Sequence, residues 1–189
     1  MNVIEKIQRK KIVIIIFCVL FAASIVSIAF FKTQQPTELE LVRKYLNTTY
    51  TVTKSESADL FKRITSGSLT EKDTYKSITR KYARLMTKSG LQEAIESRQI
   101  WSNETIMAMN QRVLVPGEIN IHKSEFYSSE KPSYNFAVNV STEKFDDSEE
   151  FQFQPTGIVY LEKTIWGWKI SRIMNDAKTS LTLQMQMTK

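Results

Sequence analysis

One histidine, His122, and one cysteine, Cys18, set the ceiling on side-chain chemistry in this 189-residue chain. A catalytic histidine needs a partner to orient its ring and a pocket around it. His122 instead stands in the alternating run Ile119-Asn120-Ile121-His122, on the face of Asn120 and opposite both isoleucines. That is the place of a polar residue on the solvent side of a strand. Cys18 has no second cysteine with which to form a disulfide or a cysteine-based zinc site. The segment Glu143-Lys144-Phe145-Asp146-Asp147-Ser148-Glu149-Glu150 gathers five carboxylates. A calcium loop would space oxygen ligands around a turn-forming glycine. Here there is no glycine, and Phe145 and Phe151 flank the acids, so the run reads as a charged hairpin tip that discourages edge pairing. Neither GxGxxG nor GxxxxGKS/T occurs. No catalytic residue, metal site or cofactor is expected, and the chain is read as non-enzymatic.

Two patterns point to binding. Lys72, Lys76, Arg80, Arg84 and Lys88 follow at i+4 steps and, with Lys81, make a basic ridge along one expected helix. Such a ridge suits an acidic partner surface, anionic lipid heads or another polyanion. Its bland alternative is a solvated face, disfavoured by a few tenths of a kcal/mol for each like-charged pair. Trp166, Trp168 and tyrosines 45, 50, 75, 82, 134 and 160 either line a cavity between helices and sheet or simply fill the core.

These residues need elements to position them, and the sequence divides into a helical half and a strand half. Pro36 is expected in the first helical turn, with Thr37, Glu38 and Glu40 behind it and Leu39, Val42, Tyr45, Leu46 and Tyr50 on the apolar face. A second helix covers Ser57–Thr65, burying Leu60, Phe61 and Ile64, and ends at Ser66-Gly67-Ser68. Thr70 with Asp73 opens a third, whose apolar face is Tyr75, Ile78, Tyr82, Leu85 and Met86. Ser89-Gly90 is expected to break it, and Leu91–Trp101 to supply one more helical stretch. After Asn103 the period changes to two. Glu118–Tyr127, Tyr134–Ser141, Phe151 with Phe153, Ile158–Leu161 and Trp168–Ile173 read as strands, with Pro155 and Gly157 marking a bend. The expectation is an α+β domain of about three to four helices on a bent antiparallel sheet of about four strands.

Ahead of that domain, residues 12–31 form a 20-residue run without a charge. A helix of this length spans about 30 Å, the thickness of a bilayer core. Lys6, Arg9, Lys10 and Lys11 precede it against Glu5 alone. The positive-inside rule therefore assigns 1–11 to a cytoplasmic tail, 12–31 to a single-pass transmembrane helix and 32–35 to a linker. Residues 36–174 become an extracytoplasmic domain, with 175–189 a C-terminal tail or edge strand. A cleaved signal peptide, with small residues at Ser27-Ile28-Ala29, fits less well because the apolar run is longer than the usual ~7–15 residues. Residues 33–189 hold 21 basic and 19 acidic side chains, so the excess positive charge lies mostly beside the span. Direct nucleic-acid binding is not expected.

In residues 180–187, Leu181, Leu183, Met185 and Met187 alternate with Ser180, Thr182, Gln184 and Gln186. Period two without a charge reads as an edge strand, added to this chain's own sheet or to a neighbouring subunit in a homo-oligomer.

Helices first, then a bent antiparallel sheet closing on Gly167-Trp168-Lys169-Ile170-Ser171-Arg172-Ile173, resembles the cone-shaped nuclear-transport-factor-2-like superfamily. A basic tail, one span and one such domain outside the membrane resembles the bitopic scaffold proteins of type IV secretion and conjugation machines. The resemblance implies a bacterial membrane-anchored, non-catalytic assembly subunit whose partners are the membrane and other secretion-machine proteins. The alternative is an exported small-ligand-binding protein or enzyme that uses the concave pocket of the same fold.

Overall fold

A computed structural model of the chain describes residues 36–146 and 150–180. The expected span 12–31, Cys18, Asp147–Glu149 and the expected edge strand with Leu181, Leu183, Met185 and Met187 lie outside the described residues. Among the described residues no helix is long and apolar enough to cross a membrane.

The domain is α+β. Its helices are α1 (Glu38–Thr49), α2 (Lys54–Thr65), α3 (Glu71–Tyr82), α4 (Lys88–Glu96) and α5 (Ser102–Met109). Five strands follow: β1 (Arg112–Lys123), β2 (Ser133–Lys144), β3 (Glu150–Phe153), β4 (Thr156–Thr164) and β5 (Gly167–Asn175), then a short 3-10 turn at Ala177–Thr179. Among the described residues there is thus one helix and one strand more than the upper expectation. The helix is α5, in a stretch assigned from sequence to the strand half.

Four of the helices start on a threonine cap. Thr37, Thr53, Thr70 and Thr87 each accept a hydrogen bond from the N–H three residues on. At Thr37 and Thr53 the box is reciprocal, since Glu40 and Glu56 return a carboxylate to the cap's own N–H. Pro36 therefore precedes the cap of α1 instead of standing in its first turn, and Leu39 is exposed while Leu41, Val42, Tyr45 and Leu46 face the core. In α2, Leu60, Phe61 and Ile64 are only half-buried and Ser57 is the buried position.

β1 pairs with one edge of β2, with a register shift between Pro116 and Ile119. On the other edge of β2, β4 pairs along Ser133–Ala137 and β3 along Val140–Glu143. β3 and β4 are thus one strand line interrupted at Pro155, as the Pro155/Gly157 bend predicts. β5 pairs outside β4. Tyr134, Phe136, Val138 and Val140 of β2 meet Val42, Tyr45 and Leu46 of α1 in one core cluster. The buried Arg112 stacks its guanidinium 4.5 Å over the Phe151 ring.

The helical half is fastened to the sheet by single rungs at two edges. Val52 exchanges backbone bonds with Leu114 of β1, and Ile170 of β5 donates to the Leu85 carbonyl and accepts from the Thr87 N–H. The second rung corrects two expectations. α3 stops at Tyr82, because Leu85 and Met86 are held against the sheet. Ser89 and Gly90 do not break a helix but form the first turn of α4.

Gly90 must be glycine for a reason of space: a Cβ there would lie 2.4 Å from the Ser171 carbonyl oxygen. Gly90→Ala is expected to cost about 1–3 kcal/mol by overpacking, read as a lower denaturation midpoint with unchanged slope. The capping carboxylates give a pH dependence. Hydrogen bonds from the Thr37 N–H and hydroxyl hold Glu40 below the ordinary value of 4.5. Glu56 is also lowered: burial opposes this, but the Thr53 bonds and the charge of Lys81 outweigh it. Because the folded pKa lies below the unfolded one, this stabilisation is complete above about pH 4.5 and is lost as pH falls through the lowered values. Acid titration of Glu56→Gln should show a shallower loss of stability over that window than the parent chain.

Candidate functional site

Among the described residues a concavity lies among the helices, where one between helices and sheet was expected. Gly67, at φ +67°, turns the chain after α2. The Ser68 and Leu69 N–H groups return to the Arg63 carbonyl, and Thr70 then starts α3. Only Ile78 and Tyr82 of α3 are buried, so its first two turns stand clear of the core. Beneath them a groove of about 820 Å³ opens, lined from α2 by Leu60 and Ile64, from α3 by Tyr75 and Ile78, from α4 by Ile95, and from the approach to α5 by Trp101. Tyr75 is 47% exposed and Met109, also on the wall, is 53% exposed.

Polar ties cross the groove. Arg63 Nη2 lies 3.7 Å from Asp73 Oδ2, joining α2 to α3. Lys81 Nζ lies 2.6 Å from Glu104 Oε1, joining α3 to α5. The Tyr75 hydroxyl meets Gln92 Oε1 at 3.5 Å, and Gln92 in turn donates to Glu96 at 2.6 Å. Arg98 places its guanidinium 5.6 Å from the Trp101 ring centre, while the indole N–H donates to the Ile95 carbonyl. An aromatic and aliphatic lining with charges of both signs at its margin is chemistry for receiving apolar side chains and orienting the segment that carries them.

The basic ridge is not one feature. Lys72, Lys76 and Arg80 are exposed on α3, on which the groove-lining Tyr75 and Ile78 also stand. Arg84 lies in the turn beyond the helix and gives its carbonyl to Lys169 Nζ, and Lys88 begins α4. Lys81 belongs to the ion pair with Glu104. The five-residue i+4 row is therefore corrected to a three-residue row on one helix, because the Ile170 rung ends that helix first. Burial holds the Lys169 ammonium below its ordinary pKa.

His122 and Asn120 are exposed on β1, as their alternation predicts. Of the acidic run, Glu143, Asp146 and Glu150 are exposed. Among the described residues, no group of three or more His, Cys, Asp or Glu is placed to hold a metal ion. Tyr45, Tyr50, Tyr82 and Tyr134 are buried in the core and do not line the groove. Burial pushes the phenols of Tyr45, Tyr50 and Tyr82 up. Burial and the hydrogen bond it donates to Glu38 do the same for Tyr134.

Two features escaped the sequence reading. Trp101, assigned only to the end of a helix, is a wall of the groove. Ile165, at the tip of the β4–β5 turn, is 88% exposed, and Trp166 beside it is 77% exposed, which corrects its expected place in a cavity wall or the core. The signal for the second was present: Lys163–Gly167 reads as a turn, and an apolar pair inside a two-residue turn has no core to enter.

No protein-family model matches the chain, and no curated protein matches it. Among solved structures it is similar to CagV, a VirB8 homolog of the T4SS of Helicobacter pylori strain 26695, at 10% identity over 70% of this chain and 90% of that chain, with a TM-score of 0.47. That likeness is too slight to assign residues or activity. The fold and site define an α+β domain with an open interhelical groove.

With two buried side chains against five in α1, and its first turns clear of the core, α3 should be less protected than α1. In native-state hydrogen exchange, amides of Thr74–Lys81 are expected to exchange at least tenfold faster than those of Val42–Thr49 in α1. Equal protection would mean that the groove does not open independently.

Proposed function

We propose that this chain is a membrane-anchored, non-catalytic assembly subunit whose exported domain docks other proteins, as a component of a bacterial secretion or conjugation machine. The observation that carries the reading is the groove under α3: an apolar cleft with exposed Tyr75 and Met109 and a half-buried Trp101 at its wall. Large, rigid aromatic side chains beside an aliphatic pocket are the usual anchors of protein interfaces. The exposed Lys72, Lys76 and Arg80 on the same helix favour a partner with acidic residues flanking its apolar segment. The uncharged run 12–31 with its basic flank supports the anchor and the outward placement of the domain. The assignment to a secretion or conjugation machine rests on the order of elements, helices followed by an antiparallel sheet that closes on Gly167–Asn175.

Photo-crosslinking in the intact host tests this. With benzoyl-phenylalanine in place of Tyr75, irradiation should join the chain to envelope proteins. Adding Ile64→Glu and Met109→Glu should remove at least nine-tenths of those adducts. Lys76→Glu with Arg80→Glu should weaken them several-fold while leaving the melting temperature nearly unchanged. Adducts only to cytoplasmic proteins would overturn the exported placement. Adducts indifferent to charge in the groove would move the docking surface elsewhere.

A further inference from the structure

Along the outer edge of the β4–β3 line, pairing stops part-way. Tyr160 and Ile158 pair with Arg172 and Met174 of β5, and the Asp176 N–H donates to the Thr156 carbonyl at 2.9 Å. There the chain turns aside into Ala177–Thr179, and the Thr179 hydroxyl, not a backbone carbonyl, takes the Thr156 N–H at 3.0 Å. Two residues further along the edge, none of the described residues takes over. The Val138 N–H donates to the Pro155 carbonyl at 3.0 Å, and the same register pairs Val140 with Phe153 and Thr142 with Phe151. In an antiparallel ladder those are the residues whose backbone groups face β2, so the N–H and C=O of Gln152 and Gln154 face outward. Among the described residues no backbone group meets them. Within β3 the one charge is the exposed Glu150 at its start, and no proline, lysine or bulge stands at Phe151–Phe153.

The other edges are treated differently. Val52, Pro116 and the Arg43 guanidinium at the Ile119 carbonyl occupy the outer side of β1, and the Leu85–Thr87 rung and α4 cover β5. The unpaired stretch at Gln152 and Gln154 begins where Ser180 leaves the 3-10 turn, and the sequence continues Leu181-Thr182-Leu183-Gln184-Met185-Gln186-Met187.

We propose that residues 181–187 dock on the open edge of β3 in their own chain, antiparallel to it, with Thr182 opposite Gln154 and Gln184 opposite Gln152. The reach is sufficient. Positions 156 and 154 are about 7 Å apart along a strand, and the three residues from Thr179 to Thr182 span up to about 10 Å. The register follows from the faces. Asp176 is opposite Thr156, so placing even-numbered residues opposite 154 and 152 puts Leu181, Leu183, Met185 and Met187 on the side of Phe151 and Phe153. Phe153 is buried and Phe151 half-buried there. The glutamines then stand beside Gln152 and Gln154. A slip of one residue would move all four apolar side chains to the glutamine face. Backbone bonds supply the affinity and the Leu/Met face fixes the register. This docking does not depend on the interhelical groove.

The test uses the full chain in detergent with Cys18→Ser. Mild oxidation of the Gln154→Cys, Thr182→Cys pair should give an intrachain disulfide at least tenfold faster than Gln154→Cys, Leu183→Cys, because opposite residues of a ladder fall within bonding reach. In the unsubstituted chain, the Gln152, Gln154, Thr182 and Gln184 amides should exchange at least tenfold slower than random coil, and slower than Leu183 and Met185. Equal disulfide rates at 182 and 183 would remove the fixed register. A disulfide formed only between chains would assign the edge to a second copy. Random-coil exchange at all four amides would overturn the docking altogether, whatever the cysteine variants do.

Discussion

Ile170, with none of its surface exposed, holds the helical half in place with its backbone as well as its side chain. Its N–H reaches the Leu85 carbonyl at 2.9 Å and its carbonyl accepts the Thr87 N–H at 2.8 Å. One strand residue thereby closes part of the β5 edge, ends α3 and sets the cap from which α4 begins. Gly90 then lies against the Ser171 carbonyl, a contact that only a residue without Cβ permits. With Leu85 and Met86 buried beside the sheet, α3 is held at its C-terminal end and its N-terminal turns project past the core. The groove follows from that one-sided attachment.

Local chemistry was legible in the sequence where the responsible groups are neighbours. Thr70 caps α3 with Asp73 three residues on, Gly67 takes the left-handed turn after α2, and Pro155 divides one strand line into β3 and β4. Each depends on two to four consecutive residues. What was missed depends on partners distant in sequence. α5 has no side-chain cap at Trp101; it is held by Met107 and Ala108 in the core and by Asn103, whose amide donates to the Thr49 carbonyl at 3.2 Å. β1 was expected to start at Glu118, where the alternation through Ile119 and Ile121 begins. The ladder runs back to Arg112 because the register shift between Pro116 and Ile119 absorbs the proline at an edge.

The candidate site was legible only as an inventory. The lysines and arginine of α3 announce themselves by spacing, and a solvent-exposed face needs nothing more to exist. A groove needs several helices to miss close packing by a definite amount, and no periodicity encodes that gap. Tyr75 and Tyr82 illustrate the limit. Both fall on the apolar stripe read from the sequence, yet one is 47% exposed above the cleft and the other 1% exposed beneath it. Seven residues along a helix separate an exposed phenol from a core phenol, and the difference is where the tertiary attachment lies.

The edges of the sheet extend this logic to association. An unprotected edge strand pairs with any extended chain, whereas a groove selects by shape and side chain. In this domain the long edges are occupied by groups from the helical half: Val52 and Arg43 on β1, and the Leu85–Thr87 segment on β5. The same connections that join helix to helix therefore serve as edge guards, and they do so with single rungs instead of whole strands. Such guards hold only while the helices remain packed. Loosening α1 or α4 would expose backbone on β1 or β5, whereas opening the N-terminal turns of α3 exposes only side chains. The N-terminal turns of α3 thus shape a groove without guarding a sheet edge, while the packing of α1 and α4 keeps the β1 and β5 edges covered.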